Sequence, residues 1–369
     1  TIIVDPNTNT VVTYSASINI VGSVIVELRT AGSQIKIDDL SWTSYVVSTP
    51  LIITSLSTLN SFSQNSSSPS TEQSFTISGD NLTGNAIVTP PSNYEISMTS
   101  GSGFSNNPIT LSVSGGNILN EPVTIYVRQN ASSIGAFSGN IQNSSTGATD
   151  VNVAVSGLRT GTLYSKSTGD VSDLNTWGTS MDGSGTAPSN FTAAGVIYEI
   201  RNRSTASISN PWTVSGTGSK VVVGDGTNAI DFTIPSTAAF SGLIDVSNNA
   251  ELTVENSSLP TFNSLATNST VEFKDISLNI PLNLSYGNLK LTGAGTKSFQ
   301  GNTTTILGNL TLSNTQLNGL SSSPFSSIDL KGDLTYVGTV TPPADANSIT
   351  LRTTGSAGGT QTIIGAGNT

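Results

Sequence analysis

The chain has 369 residues, of which 35% are hydrophobic and only 10% charged, with a formal net charge of −10 and a pI near 4.3. That balance excludes the basic footprint of a nucleic-acid or anionic-lipid binder, and so much apolar content with so little charge separates it from acidic disordered chains. Cys and His are both absent, which removes disulfides, thiolate and imidazole metal sites, and the Ser-His-Asp and Cys-His nucleophilic arrangements.

Ser, Thr, Asn and Gly fill the polar positions that Lys and Glu occupy in most proteins. Such a composition favours strands and turns and provides few helix formers. No window approaches the roughly 18 consecutive apolar residues of a membrane helix, so direct membrane insertion is not expected. The chain starts at Thr1 without Met and stops in a Gly/Thr tract over 355–369. We therefore expect a piece of a longer, processed polypeptide.

Residues 1–45 carry short strand candidates: Val11 to Ile18, Val24 to Leu28 after Gly22, and Gln34 to Ile37 after Gly32. Gly-marked turns at this spacing are a sandwich pattern, but 45 residues cannot close one, so this reads as the last third of a sandwich. Asp38 and Asp39 end its final strand. Adjacent carboxylates are hard oxygen ligands and hence candidates for a structural Ca²⁺; a solvated strand end is the commoner reading of a lone pair. No other cofactor is implied.

Residues 46–158 read as a second domain, with strands expected at 51–56, 73–78, 86–89, 94–98, 109–113, 123–128, 139–142 and 151–155. Seven or eight short strands in about 105 residues, without helical periodicity, match an immunoglobulin-like sandwich.

From 159 the strands shorten to three to five residues and arrive about every ten. Gly287-Asn288-Leu289-Lys290-Leu291 returns as Gly308-Asn309-Leu310-Thr311-Leu312 and as Gly332-Asp333-Leu334-Thr335-Tyr336, at intervals of 21 and 24 residues. A strand recurring at this period is the coil of a solenoid, and two or three strands per coil make a parallel β-helix. The Gly-Asn pairs read as turns, where Asn tolerates left-handed backbone, and stacked Asn or Thr side chains form ladders along such coils. The fold class expected is all-β: a partial jelly-roll sandwich over 1–45, an Ig-like sandwich over 46–158 and a right-handed parallel β-helix over 159–369.

Three stretches carry resemblances. Ile37-Asp38-Asp39-Leu40 with Trp42 resembles the closing strand of jelly-roll, carbohydrate-binding-like modules. Gln73-Ser74-Phe75-Thr76-Ile77-Ser78-Gly79-Asp80-Asn81-Leu82, Tyr94-Glu95-Ile96-Ser97, Thr124-Ile125-Tyr126-Val127-Arg128 and Val155-Ser156-Gly157 resemble an Ig-like module of very large secreted and cell-surface proteins of Bacteroidota, many exported by type IX secretion. Tyr164-Ser165-Lys166-Ser167 through Asp173-Leu174-Asn175-Thr176-Trp177-Gly178 looks like the lead-in to β-helical regions of the same proteins. The resemblance implies an extracellular spacer or stalk.

A β-helix can also carry catalytic carboxylates, which act in pairs roughly 5–10 Å apart. The acids here are thinly spread: Asp231, Asp245, Glu251, Glu255, Glu272, Asp275, Asp329 and Asp333. Asp245 and Glu272 are the pair to check on neighbouring coils. Asp182-Gly183 and Gly224-Asp225-Gly226 lack the alternating acids of calcium loops and read as turns. Trp177 is either a sugar-stacking platform or a cap on the open end of the solenoid, and terminal repeats are usually atypical, which favours the cap. No catalytic or cofactor-binding residue is assigned.

The functional expectation is a structural, adhesive cell-surface protein. Its partners would be glycans, other surface proteins or further copies of itself. The alternative is a non-catalytic carbohydrate-binding or spacer region of a secreted polysaccharide-degrading enzyme.

Overall fold

The computed structural model describes residues 48–65, 68–299, 303–319, 326–341, 349–353 and 363–366. The strand and cation-site expectations for residues 1–45, Asp38 and Asp39 included, lie outside them. About half of the chain is strand and almost none is helix; the one helical turn among the described residues, Leu174–Thr176, starts at Asp173, whose carboxylate accepts the Asn175 N–H.

Two sheets of short strands pack face to face between residues 51 and 159. One has the order Leu51–Thr54, Gln73–Asp80, Val123–Gln129, Tyr94–Ser97; the other has the order Phe62–Gln64, Val151–Arg159, Gly135–Ser144, Ala86–Thr89, Ile109–Leu111. Alternation works here as period 2 demands: in Gln73–Asp80, Phe75, Ile77 and Gly79 face inward while Ser74 is exposed. Phe75, Ile77, Ile125, Val127, Ile141 and Val153 are essentially fully buried between the sheets.

Phe62–Gln64 is not among the expected strands, and it is the one parallel partner in its sheet, beside Val151–Arg159. Its residues lack an apolar alternation because the inward Gln64 is buried by hydrogen bonding. The Gln64 carboxamide accepts the Ala131 N–H at 2.8 Å and donates to the Ala131 carbonyl at 3.1 Å, which offsets the cost of burying it.

After Thr160 the chain becomes a parallel β-solenoid of about six turns. On its first face Gly161–Ser165, Val196–Ile200, Lys220–Val223, Leu243–Val246 and Thr261–Leu265 pair in parallel. Its second face stacks Thr205–Ser207, Ile230–Ile234, Ala250–Val254, Thr270–Lys274, Asn288–Thr292, Leu310–Asn318 and Leu334–Thr341.

Inward side chains of the second face form two registered rows. Phe232, Leu252, Val271, Leu289, Leu310 and Leu334 make one; Ile234, Val254, Phe273, Leu291, Leu312 and Tyr336 make the other. The triplicated Leu-x-Leu pattern is therefore three successive coils stacked in register. No coil can bury its apolar side alone, so the core exists only through stacking.

The chain does bend at Gly287, Gly308 and Gly332, but without the left-handed backbone expected there. None of Gly287, Gly308, Gly332, Asn288, Asn309 or Asp333 has a positive φ. Other residues take left-handed backbone, among them Asn202, Asn249, Asn283 and Asn314. Close approach between coils explains the glycines: a Cβ on Gly308 would sit 2.3 Å from Asn288 Oδ1, and one on Gly332 2.5 Å from Asn309 Oδ1.

The asparagines form the expected ladder, side chain to backbone. Asn288 Oδ1 accepts the Asn309 N–H and Asn309 Oδ1 accepts the Asp333 N–H, both at 2.8 Å. Asn288 Nδ2 donates in turn to the Ser269 carbonyl at 3.1 Å.

Among the described residues one charged side chain is buried inside the solenoid. Lys297 is fully buried, in register with Leu278 and Leu317 on the neighbouring coils, and its amine donates to the Ala294 carbonyl at 3.0 Å. Burial holds its pKa below the usual lysine value, against a smaller opposing pull from Asp275.

Two outcomes are expected in urea unfolding followed by circular dichroism. Gly308→Ala should destabilise more than Asn309→Ala, which removes the side-chain acceptor of the Asp333 N–H, worth about 1 kcal/mol. Lys297→Met should leave the midpoint unchanged or raise it, because an apolar chain of similar length replaces a desolvated amine.

Candidate functional site

The outward side of the second face is the most organised polar surface of the solenoid. Parallel pairing brings Ser207, Thr233, Thr253, Glu272, Lys290, Thr311 and Thr335 into one row across successive coils. Asp231, Glu251, Thr270 and Asn288 form a second row beside it.

Within these rows Glu251, Glu272 and Lys290 have side-chain partners, while Asp231 stands exposed. Lys290 Nζ lies 2.8 and 2.7 Å from the two oxygens of Glu251, two coils away. Glu272 accepts from the hydroxyls of Thr253 at 3.1 Å and Thr292 at 2.6 Å. At the margin Lys274 meets Glu255 at 2.8 Å, and the hydrogen bond and charge of Glu255 raise the lysine pKa. Half-exposed pairs of this kind are worth about 0–1 kcal/mol each, so they order a surface more than they stabilise a fold.

Asp245 and Glu272 do not meet. Asp245 is on the first face, where it accepts from Lys220 Nζ and Asn263 Nδ2, each at 2.6 Å. Glu272 is on the second. A shared coil position in the sequence says nothing about which face a side chain leaves from.

The other candidates resolve into structure. Trp177 has no exposed surface; it packs against Trp212, Tyr198 and the end of the core, and its indole N–H donates to the Val171 carbonyl at 2.9 Å. It is an end-filling residue, not a platform. Trp177–Gly178 also pairs antiparallel with Gly161–Ser165 and so covers the edge of the first parallel strand.

Asp182 accepts the N–H and hydroxyl of Ser184, and Asp225 accepts the N–H groups of Thr227 and Asn228. Both are turn acceptors. Among the described residues no group of three or more Asp, Glu, His or Cys side chains converges to hold a metal ion, and no helix is long and apolar enough to cross a membrane.

Two residues that fasten this end of the solenoid escaped sequence reading: Asp170 and Arg203. Together they latch residues 166–170 over Thr205–Ser207, the first strand of the second face. The Arg203 guanidinium donates to the carbonyls of Lys166, Thr168 (2.9 Å) and Gly169 (2.7 Å). The Asp170 carboxylate accepts from the N–H and hydroxyl of both Ser172 and Ser209. Asp170-x-Ser172 is a legible turn pattern, but the partners of Arg203 lie 34 to 37 residues away, where no local signal reaches.

Between this latched loop and the sheet runs a groove of about 730 Å³, lined by Ser167, Thr168, Thr205, Ser207, Thr233 and Pro235 among others. Its charged members are already satisfied: Arg203 by carbonyls, Asp170 by serines, Glu255 by Lys274. No family model and no curated protein matches the chain.

Burial pushes the Asp170 carboxyl up, and the hydrogen bonds from Ser209 and Ser172 outweigh it, leaving the pKa below its ordinary 3.8. A depressed carboxylate contributes stability above its unfolded value and loses it as pH falls through the folded one. Asp170→Asn should therefore lower Tm at neutral pH and flatten the loss of Tm below pH 3.8. Thermal melts from pH 7 to 2 check this.

Proposed function

We propose that this chain is part of an extracellular, cell-surface stalk, of the secreted Bacteroidota kind that its sequence resembles, with adhesive contacts along the solenoid and no catalytic role. One observation carries the reading: the sandwich and the solenoid are joined without a flexible linker. Val151–Arg159 ends one residue before Gly161–Ser165 begins. Thr160 between them donates its N–H to the Gln64 carbonyl at 3.0 Å, and Gly161 donates to the Gly195 carbonyl at 3.0 Å.

Side chains cross the join as well. Ile134 of the sandwich packs against the solenoid core, and a Cβ on Gly161 would fall 2.4 Å from its Cδ1. Leu158 reaches both Gly195 and Gly218. An interlocked join transmits position, which is what a projecting stalk requires; a flexible linker would lose it. At about 4.8 Å per coil, the stacked strands alone add reach on the order of 30 Å.

The surface chemistry supports the adhesive half. Outward rows of Ser, Thr and Asn present hydroxyl and amide groups at coil spacing, suited to many weak contacts that multiply in avidity. Glu251, Glu255 and Glu272 on the second face are engaged by lysines and threonines, an arrangement that suits a contact surface better than acid/base chemistry.

The absence of Cys makes the rigid join directly testable with spin labels at Ser74→Cys in the sandwich and Thr261→Cys in the solenoid. A narrow inter-label distance distribution is expected, broadened when a Gly/Ser linker is inserted after Thr160. A broad distribution in the uninterrupted chain would sink the stalk reading.

A further inference from the structure

We propose that the groove under the latched loop binds a neutral polyhydroxylated chain, a short run of an uncharged glycan. This rests on the adhesive reading above and gives it a site and a ligand class. The groove is shallow and open to solvent, with about 730 Å³ of space, which suits an extended chain lying along it, and its composition selects the ligand.

Each charged group on its walls has its partners inside the protein. Arg203 spends its guanidinium on three loop carbonyls. Asp170 takes four donors from two serines, and Glu255 holds Lys274. An anionic or cationic ligand would have to displace these contacts. The net charge of −10 further disfavours sulfated or uronic chains.

What remains free is hydroxyl. Thr205 and Ser207 are exposed on the floor, Thr233 lies in register with Ser207 one coil on, and Ser167 and Thr168 stand on the opposite wall. Hydroxyls both donate and accept, matching the mixed donors and acceptors of sugar hydroxyls. Pro235 adds an apolar surface beside them, suited to the C–H face of a pyranose ring. The groove runs beside the outward Ser/Thr row, so a longer chain leaving it meets Thr253 next.

Isothermal titration of the full chain with cellohexaose, xylohexaose and mannohexaose tests this, with hexagalacturonate as the charged comparison. At least one neutral hexasaccharide should bind, and hexagalacturonate should bind at least tenfold more weakly. The double variant Ser207→Ala with Thr233→Val should weaken neutral binding at least tenfold, while Thr261→Val, exposed on the first face and away from the groove, should leave it unchanged. Circular dichroism confirms that each variant folds.

Three results would overturn the groove assignment: no binding of any neutral hexasaccharide at millimolar concentration, tighter binding of hexagalacturonate, or unchanged affinity in the double variant. Retention of the chain on an immobilised glycan surface, measured in parallel, separates the two levels. Retention that survives the double variant removes the groove and keeps the adhesive reading; loss of retention by the unaltered chain removes both.

Discussion

Everything in the solenoid depends on one constraint: each coil must lie directly over the last at strand separation, with its large side chains in the same row. At about 4.8 Å between parallel strands, a Leu over a Leu fills its space and a Cβ at a crowded corner does not. Leu289, Leu310 and Leu334 occupy one such row. Gly308 and Gly332 sit at the corner, where the preceding coil's Asn side chain and backbone leave no room. The same Asn side chain then accepts the N–H of the following coil. Packing, glycine and ladder are three consequences of a single spacing.

A stack of parallel strands has two ends, and each end is an unpaired sheet edge. At the start of this stack the chain closes the edge with three devices. Trp177–Gly178 runs antiparallel against the first strand. Trp177, Tyr198, Trp212 and Phe191 fill the end of the core with rings 5.2 to 6.3 Å apart. The Arg203 and Asp170 contacts hold the preceding loop over the second face. Charge here serves as fastening, which is why so few charged residues suffice, and the loop so fastened is one wall of the groove.

The polar face follows the same logic. Because outward residues align from coil to coil, a Lys placed two coils from a Glu finds it, as Lys290 finds Glu251, and serines and threonines form rows without any motif in the linear sequence. A surface of aligned hydroxyls suits contact at many weak points, and Thr160 is the single residue between sandwich and solenoid strands, with Ile134 and Leu158 packed across the join.

The sequence by itself determined the all-β class, the solenoid, and the stacking partners in the triplicated stretch, because inward side chains repeat with period 2 inside a strand and once per coil between strands. It also identified alternating strands such as Ala86–Thr89 and the turn roles of Asp182 and Asp225. Tertiary structure alone decided the rest. Phe62–Gln64 carries no alternation and pairs only because Ala131 satisfies Gln64. Asp245 and Glu272 part company because the coil turns a corner between them. Gly287, Gly308 and Gly332 are required by a neighbouring coil and not by their own backbone angles. Asp170 and Arg203 act on partners tens of residues away. Local periodicity reports which side of a strand faces inward; which face of the coil it leaves from, and what waits there, is set by chain folding at a distance.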